Sequence, residues 1–131
     1  MRHALLTAAV FLAAPAFADT TVTPEMFERL TEGKTYYYGV DGKPYGAEEY
    51  KPGRRVTWTF LDGKCLDGQW FADLDLICFV YENNLEPQCW SFHLQDGGLV
   101  AQFENLPGAT TLYEMRQSNE PLRCPGPEVG A

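Results

Sequence analysis

The stretch Leu76-Ile-Cys-Phe-Val-Tyr-Glu82, Asn83-Asn84, Gln88-Cys-Trp-Ser-Phe-His-Leu-Gln95, Asp96-Gly97-Gly98, Leu99-Val-Ala-Gln-Phe-Glu104 decides the fold class. Three short runs rich in aromatic and β-branched residues are separated by Asn and Gly pairs that supply the positive φ tight hairpins require, the pattern of consecutive antiparallel strands. Within the runs, Ile77, Phe79 and Tyr81 share one face, as do Trp90, Phe92 and Leu94, and Leu99, Ala101 and Phe103. That period of two marks strands with one apolar side.

The same grammar extends in both directions. Runs at Thr35 to Val40, Gly46 to Tyr50, Arg55 to Phe60 and Lys64 to Phe71 precede the quoted stretch, and Thr110 to Met115 follows it. Asp41-Gly42, Asp62-Gly63 and Pro107-Gly108 provide further turns, and Asp41-Gly-Lys is echoed by Asp62-Gly-Lys as repeated hairpin turns. Val56, Trp58 and Phe60 join Leu66 and Trp70 in the expected core. The reading is an all-β antiparallel meander of about eight strands that closes into a small barrel or curled sheet, which removes exposed edges. A β-sandwich is the alternative. Ahead of it, Thr23 as cap, Pro24 at the first position and Glu25 at the positive end of the dipole predict a short helix over residues 24–32, stopped by Gly33.

The N-terminus carries a different signal. Met1-Arg2-His3, an apolar run Ala4 to Ala14 that is too short to span a bilayer, and the small-x-small motif Ala16-Phe17-Ala18 form a cleavable export signal over residues 1–18. The mature chain divides into the helical segment 19–33, the β domain 34–116 and an extended tail 117–131 tethered by a disulfide. It is expected in the periplasm or secreted, with no membrane insertion after cleavage. The full chain has net charge −8, and loss of Arg2 leaves 9 of its 10 basic side chains against 18 acidic ones. Such a surface repels phosphate backbones, so nucleic acid is excluded as a partner.

Four cysteines, Cys65, Cys78, Cys89 and Cys124, fall in the exported region, where thiols oxidise. The favoured pairing is Cys78 with Cys89, on strands adjacent around Asn83-Asn84, and Cys65 with Cys124. Cys65 with Cys78 and Cys89 with Cys124 remains open. No Cys-x-x-Cys spacing supports zinc, and neither a cofactor nor a metal is implied.

The segments Gly33-Lys-Thr35, Gly39, Gly68-Gln-Trp70, Ile77-Cys-Phe-Val-Tyr-Glu82 and Pro87-Gln-Cys-Trp90 give the chain a family likeness. It resembles small exported alphaproteobacterial proteins in which a strand ending in Trp precedes two cysteine-bearing strands. The resemblance spans roughly residues 30–113 and implies a lipocalin-like β domain without an assigned reaction.

No catalytic set is evident. With the signal removed, His93 is the only histidine, and Ser91 on the same strand face stands roughly 6–7 Å away, beyond a shared hydrogen bond. Glu82 and Glu104 are the best-placed acids for a glycosidase-like pair, and read most simply as solvated strand-end charges. Asp73-Leu-Asp75 lacks the ligand spacing of a calcium loop and reads as a hairpin tip. The excess that points to function is aromatic. Tyr36, Tyr37 and Tyr38 are consecutive, so Tyr37 faces opposite to its neighbours, and Tyr45, Tyr50 and Tyr113 add phenols. Tyr36, Tyr38, Trp58, Trp70, Trp90 and His93 are the candidate ligand-facing residues, since rings on a β surface offer stacking faces for flat ligands and sugars. The expectation is a non-enzymatic domain that binds a small molecule, a glycan or an envelope protein. A periplasmic glycan hydrolase acting through carboxylates, or an inhibitor or structural partner protein, are the alternatives. A lumen filled by Trp58, Trp70, Trp90 and Phe92 would rule out an interior site.

Overall fold

The computed structural model describes residues 8–12 and 20–125. The basic start of the expected export signal, its motif Ala16-Phe17-Ala18 and the tail beyond Pro125 lie outside the described residues.

Nine strands and one α-helix make up the domain. They are β1 (Thr20–Thr21), α1 (Pro24–Thr31), β2 (Thr35–Val40), β3 (Lys43–Tyr50), β4 (Arg55–Thr59), β5 (Leu66–Asp73), β6 (Leu76–Tyr81), β7 (Asn84–Gln95), β8 (Gly98–Phe103) and β9 (Thr111–Ser118). From β2 to β9 every strand pairs antiparallel with the next, and β9 returns to pair with β2 from Gly39↔Tyr113 to Thr35↔Ser118. That seam makes the structure a closed eight-stranded barrel and excludes the sandwich. The extra strand, β1, pairs Thr20 and Thr21 with Leu94 and His93 of β7, beyond the point where β6 has ended.

The turns explain the path. Asp41 (φ 50°) and Gly42 (φ 74°) both sit in the left-handed region and join β2 to β3 by a two-residue hairpin, as do Asp96 (φ 50°) and Gly97 (φ 81°) between β7 and β8. The β6–β7 turn differs from expectation. It is Glu82-Asn83, Asn84 already belongs to β7, and neither asparagine has a positive φ. A bulge between Phe79 and Tyr81 supplies the local twist instead.

Helix α1 closes one end of the barrel. The Thr23 hydroxyl accepts from Met26 N–H at 3.3 Å, Pro24 occupies the first turn, and Val22 and Phe27 are both fully buried at the positions of a hydrophobic staple. Phe27 enters the lumen and meets the rings of Tyr50, Trp70, Phe79 and Phe92 at centroid distances of 5.3, 5.2, 6.4 and 4.6 Å. Burying such a ring and its partners makes α1 a plug rather than an appendage. Arg54 fastens the helix from outside: it pairs with Glu28 at 3.3 Å and lies 4.3 Å over the Trp70 ring.

Both disulfides have the favoured pairing. Cys78 and Cys89 stand directly opposite across β6 and β7, and Cys124 joins Cys65 in the β4–β5 loop. The chain after β9, which runs two residues into the expected tail, therefore forms a strap. Glu120 C=O accepts from the Thr35 hydroxyl at 2.8 Å, and Leu122 N–H donates to Glu49 at 3.0 Å before Cys124 reaches Cys65. The strap crosses the outward side of β3 at Glu49, the side on which Ala47 and the neighbouring Thr57 and Thr59 of β4 are buried.

The expected inward faces hold for Val56, Trp58, Trp70, Ile77, Phe79, Phe92, Leu99 and Ala101. Phe60 departs from them: β4 ends at Thr59, and the ring is 54% exposed at the open rim. Tyr36 and Tyr38 face inward, and Tyr37 faces out, where Arg116 stacks 3.5 Å over its ring.

Candidate functional site

The end opposite α1 is open. The strand ends that converge there, from Tyr38 on β2 round to Leu112 on β9, surround a cavity of ≈ 210 Å³. A cavity of about 150 Å³ accommodates benzene, so this one has room for a somewhat larger ring compound. Its wall is aromatic, with Tyr38, Tyr45, Trp58, Phe60, Tyr81 and Trp90 among the lining residues, and Asn83, Asn84 and Gln88 add amides at the mouth.

Glycine makes room for part of this wall. A Cβ on Gly46 would lie 2.3 Å from two carbons of the Trp58 ring and 2.8 Å from the Thr59 carbonyl. Its absence lets the indole lie across β3. Tyr45, beside it, meets Trp58 at 6.1 Å and Phe60 at 5.8 Å, and Trp58 meets Phe60 at 5.3 Å, so three rings cluster at the rim.

The base of the cavity is polar. Glu48, on the inward face of β3 between Gly46 and Tyr50, is only 2% exposed, and its Oε1 accepts from the Tyr81 hydroxyl at 2.8 Å. Its Oε2 has no hydrogen-bond partner. Beside it the hydroxyls of Tyr38 and Tyr50 are hydrogen-bonded to each other at 2.8 Å. Burial pushes the Glu48 carboxyl well above the usual carboxylate range, and the Tyr81 hydrogen bond opposes that shift only in part. Burial likewise holds the phenols of Tyr38, Tyr50 and Tyr81 well above 10, with the Glu48 charge adding to each. Burial thus favours the neutral form both of the carboxyl and of the three phenols around it. A protonated carboxyl carries one donor beyond what Oε1 accepts, and here that donor meets no acceptor among the described residues.

The candidate residues divide by position. Tyr38, Trp58 and Trp90 line the cavity. Tyr36 and Trp70 lie in the closed half: Tyr36 donates from its hydroxyl to the Leu30 carbonyl at 2.8 Å, and Trp70 packs on Phe27. Burial raises the Tyr36 phenol to about 12, with Glu114 adding to the shift. His93 follows the buried Phe92 on β7 and so stands on the outside of the wall, opposite Thr21 and Val100. The lumen is filled by Trp70 and Phe92 in one half, whereas Trp58 and Trp90 frame open space in the other.

The acids singled out from sequence are structural. Glu82 accepts from Asp67 N–H, and Glu104 from the Ser91 hydroxyl, both in exposed settings. Asp73-Leu-Asp75 forms the β5–β6 hairpin tip, with Leu74 at φ 53°. Glu48 is the residue that sequence reasoning missed. Its signal was parity: it lies two residues before the inward Tyr50 on the same strand.

Fold and site together define a class: a disulfide-clipped, up-and-down β-barrel plugged by a helix at one end and open to a small aromatic cup at the other. No family model, curated protein or solved structure matches the chain. Its two disulfides are consistent with an oxidising environment outside the cytoplasm, and no helix among the described residues is long and apolar enough to cross a membrane.

Proposed function

We propose that this protein is a periplasmic or secreted, non-enzymatic binding protein that holds a small molecule in the open half of a lipocalin-like barrel. The observation that carries this reading is the cavity itself, aromatic on its walls and ending on a buried carboxyl with an unpartnered oxygen. Ligand sites are typically apolar concavities with a few convergent polar groups, and this is the arrangement present. Glycoside hydrolysis needs two carboxylates flanking the scissile bond, and the cavity lining contains one, Glu48. Binding therefore fits the site better than hydrolysis.

Native mass spectrometry of the protein isolated from its own compartment tests the proposal. A low-mass species bound one to one, released on unfolding and lost in Leu66→Trp, which fills the cup, is the expected result. Copurification of a partner protein with an empty cup would overturn it in favour of an inhibitor or structural role.

A further inference from the structure

The cup has a chemical bias that its shape alone does not express. Among the described residues that line it there is no Lys, Arg or His, and the one carboxylic acid is Glu48. An anionic ligand entering it would find no counter-charge, and its own charge would face the negative faces of the surrounding rings. The loops at the mouth add to this. Asp41, Asp62, Glu82, Glu86 and Glu104 lie on the turns and strand ends of the open side, against Lys43, Lys64 and Arg123, the last beside the Cys65–Cys124 bridge. On a chain of net charge −8, that rim draws cations toward the opening and repels anions.

Inside, two features suit a positive charge. Trp58, Tyr45 and Phe60 present ring faces and edges around the entrance, and cations are attracted to such faces. At the base, the Oε2 of Glu48 is buried without a partner, although its twin oxygen is held by Tyr81. An orphaned buried oxygen destabilises the empty site and favours a ligand that completes its bonding, and once the carboxyl is ionised that ligand is a donor.

We infer that the cup selects a protonated primary amine carried on a flat apolar body, the ammonium seated against Glu48 and the body stacked among the rings of the wall. This rests on the reading of the barrel as a ligand cup. Binding is coupled to a proton. Burial favours the neutral form of the free carboxyl, so a protonated Glu48 gives its proton to solvent as the ammonium arrives, and the two groups form a neutral ion pair. No bond other than the carboxyl O–H breaks, and one proton leaves for each amine bound. The titratable groups facing Glu48 are the phenols of Tyr38, Tyr50 and Tyr81, all held neutral, so none of them competes for the exchange.

Three probes of one shape separate the outcomes: phenethylamine, 2-phenylethanol and phenylacetate, titrated into the intact disulfide-bonded protein with tryptophan emission as the signal. Calorimetry in two buffers of different ionisation enthalpy then counts protons. Phenethylamine is expected to bind at least tenfold more tightly than the alcohol, with proton release and with affinity rising as pH rises toward neutrality. Phenylacetate should bind most weakly. Glu48→Gln should abolish the preference for the amine while the alcohol still binds, and Tyr81→Phe, which keeps the carboxyl, should retain it. Equal or tighter binding of the alcohol or the acid, or amine binding without proton release, overturns the cation selectivity and leaves the cup reading standing. Failure of all three probes at millimolar concentration overturns the cup reading, and the selectivity falls with it.

Discussion

Replacing Glu48 by glutamine perturbs one proton at the base of the barrel and little else. The amide oxygen can still accept from Tyr81, and the side chain has nearly the same volume. In the unfolded chain the carboxyl titrates near its reference value of about 4.3, whereas in the folded protein burial raises it well above the usual range. The sign follows from that order. A group whose folded pKa is raised contributes its full stability below the unfolded pKa, and that contribution declines as pH rises toward the folded pKa. Between those limits the unfolded state has released the proton and the folded state has not, so the wild type loses about 1.4 kcal/mol per pH unit relative to the glutamine variant. For a domain of roughly 100 residues, each kcal/mol corresponds to about 4–8 °C in Tm. Urea unfolding of both proteins by tryptophan emission from pH 4 to 7.5, disulfides intact, gives the difference directly, since the other carboxylates titrate alike in the two chains. The curves should diverge upward from pH 4.5 in favour of Glu48→Gln. A difference that stays constant across that window would mean that Glu48 ionises normally in the folded state, and the neutral polar base would have to be abandoned.

The plug and the strap yield two further expectations. Phe27→Ala should lower stability by about 3–5 kcal/mol in urea unfolding, because the ring fills the closed half of the lumen; a loss below about 1 kcal/mol would show that α1 merely lies against the barrel. Removing Cys65 and Cys124 together as alanines should cost about 4 kcal/mol, from the chain entropy of the 59-residue separation they span. In the same variant, amide exchange at Ala47 and Thr59 should accelerate as the strap lifts, and unchanged protection there would show that the strap does not shield this face.

The sequence discloses the wall of this barrel better than its contents. Strand positions are written in local chemistry: Asp41-Gly42 and Asp96-Gly97 fix hairpins by their backbone freedom, and alternation then assigns Val56, Ile77, Phe79 and Phe92 to the inside. The Cys78–Cys89 bridge follows from the same local pairing. Which half of the lumen is filled depends on where α1 docks, and nothing near Phe27 specifies that distant partners such as Trp70 and Phe92 will receive it. Tyr36 and Trp70 therefore look like site residues until the plug is in place. Phe60 reads as core because its parity continues that of Val56 and Trp58, but the strand stops one residue short of it. Glu48 is hidden for the opposite reason. Glu48-Glu49 looks like ordinary surface charge, and only barrel closure puts the first inside and the second under the strap.

The seam between β2 and β9 also bears on how the chain reaches this state. Thr35 waits for Ser118, and Phe27 for rings as far along as Phe92, so the segment synthesised first is among the last to gain its partners. Pairings so distant in sequence slow folding, because the intervening loops must be ordered before the contacts reward it. A truncated or stalled chain would hold an unplugged, unsealed sheet with its apolar face open. The cup is complete only once β9 has closed on β2, and the strap that follows β9 is pinned to the wall by the Cys65–Cys124 bridge.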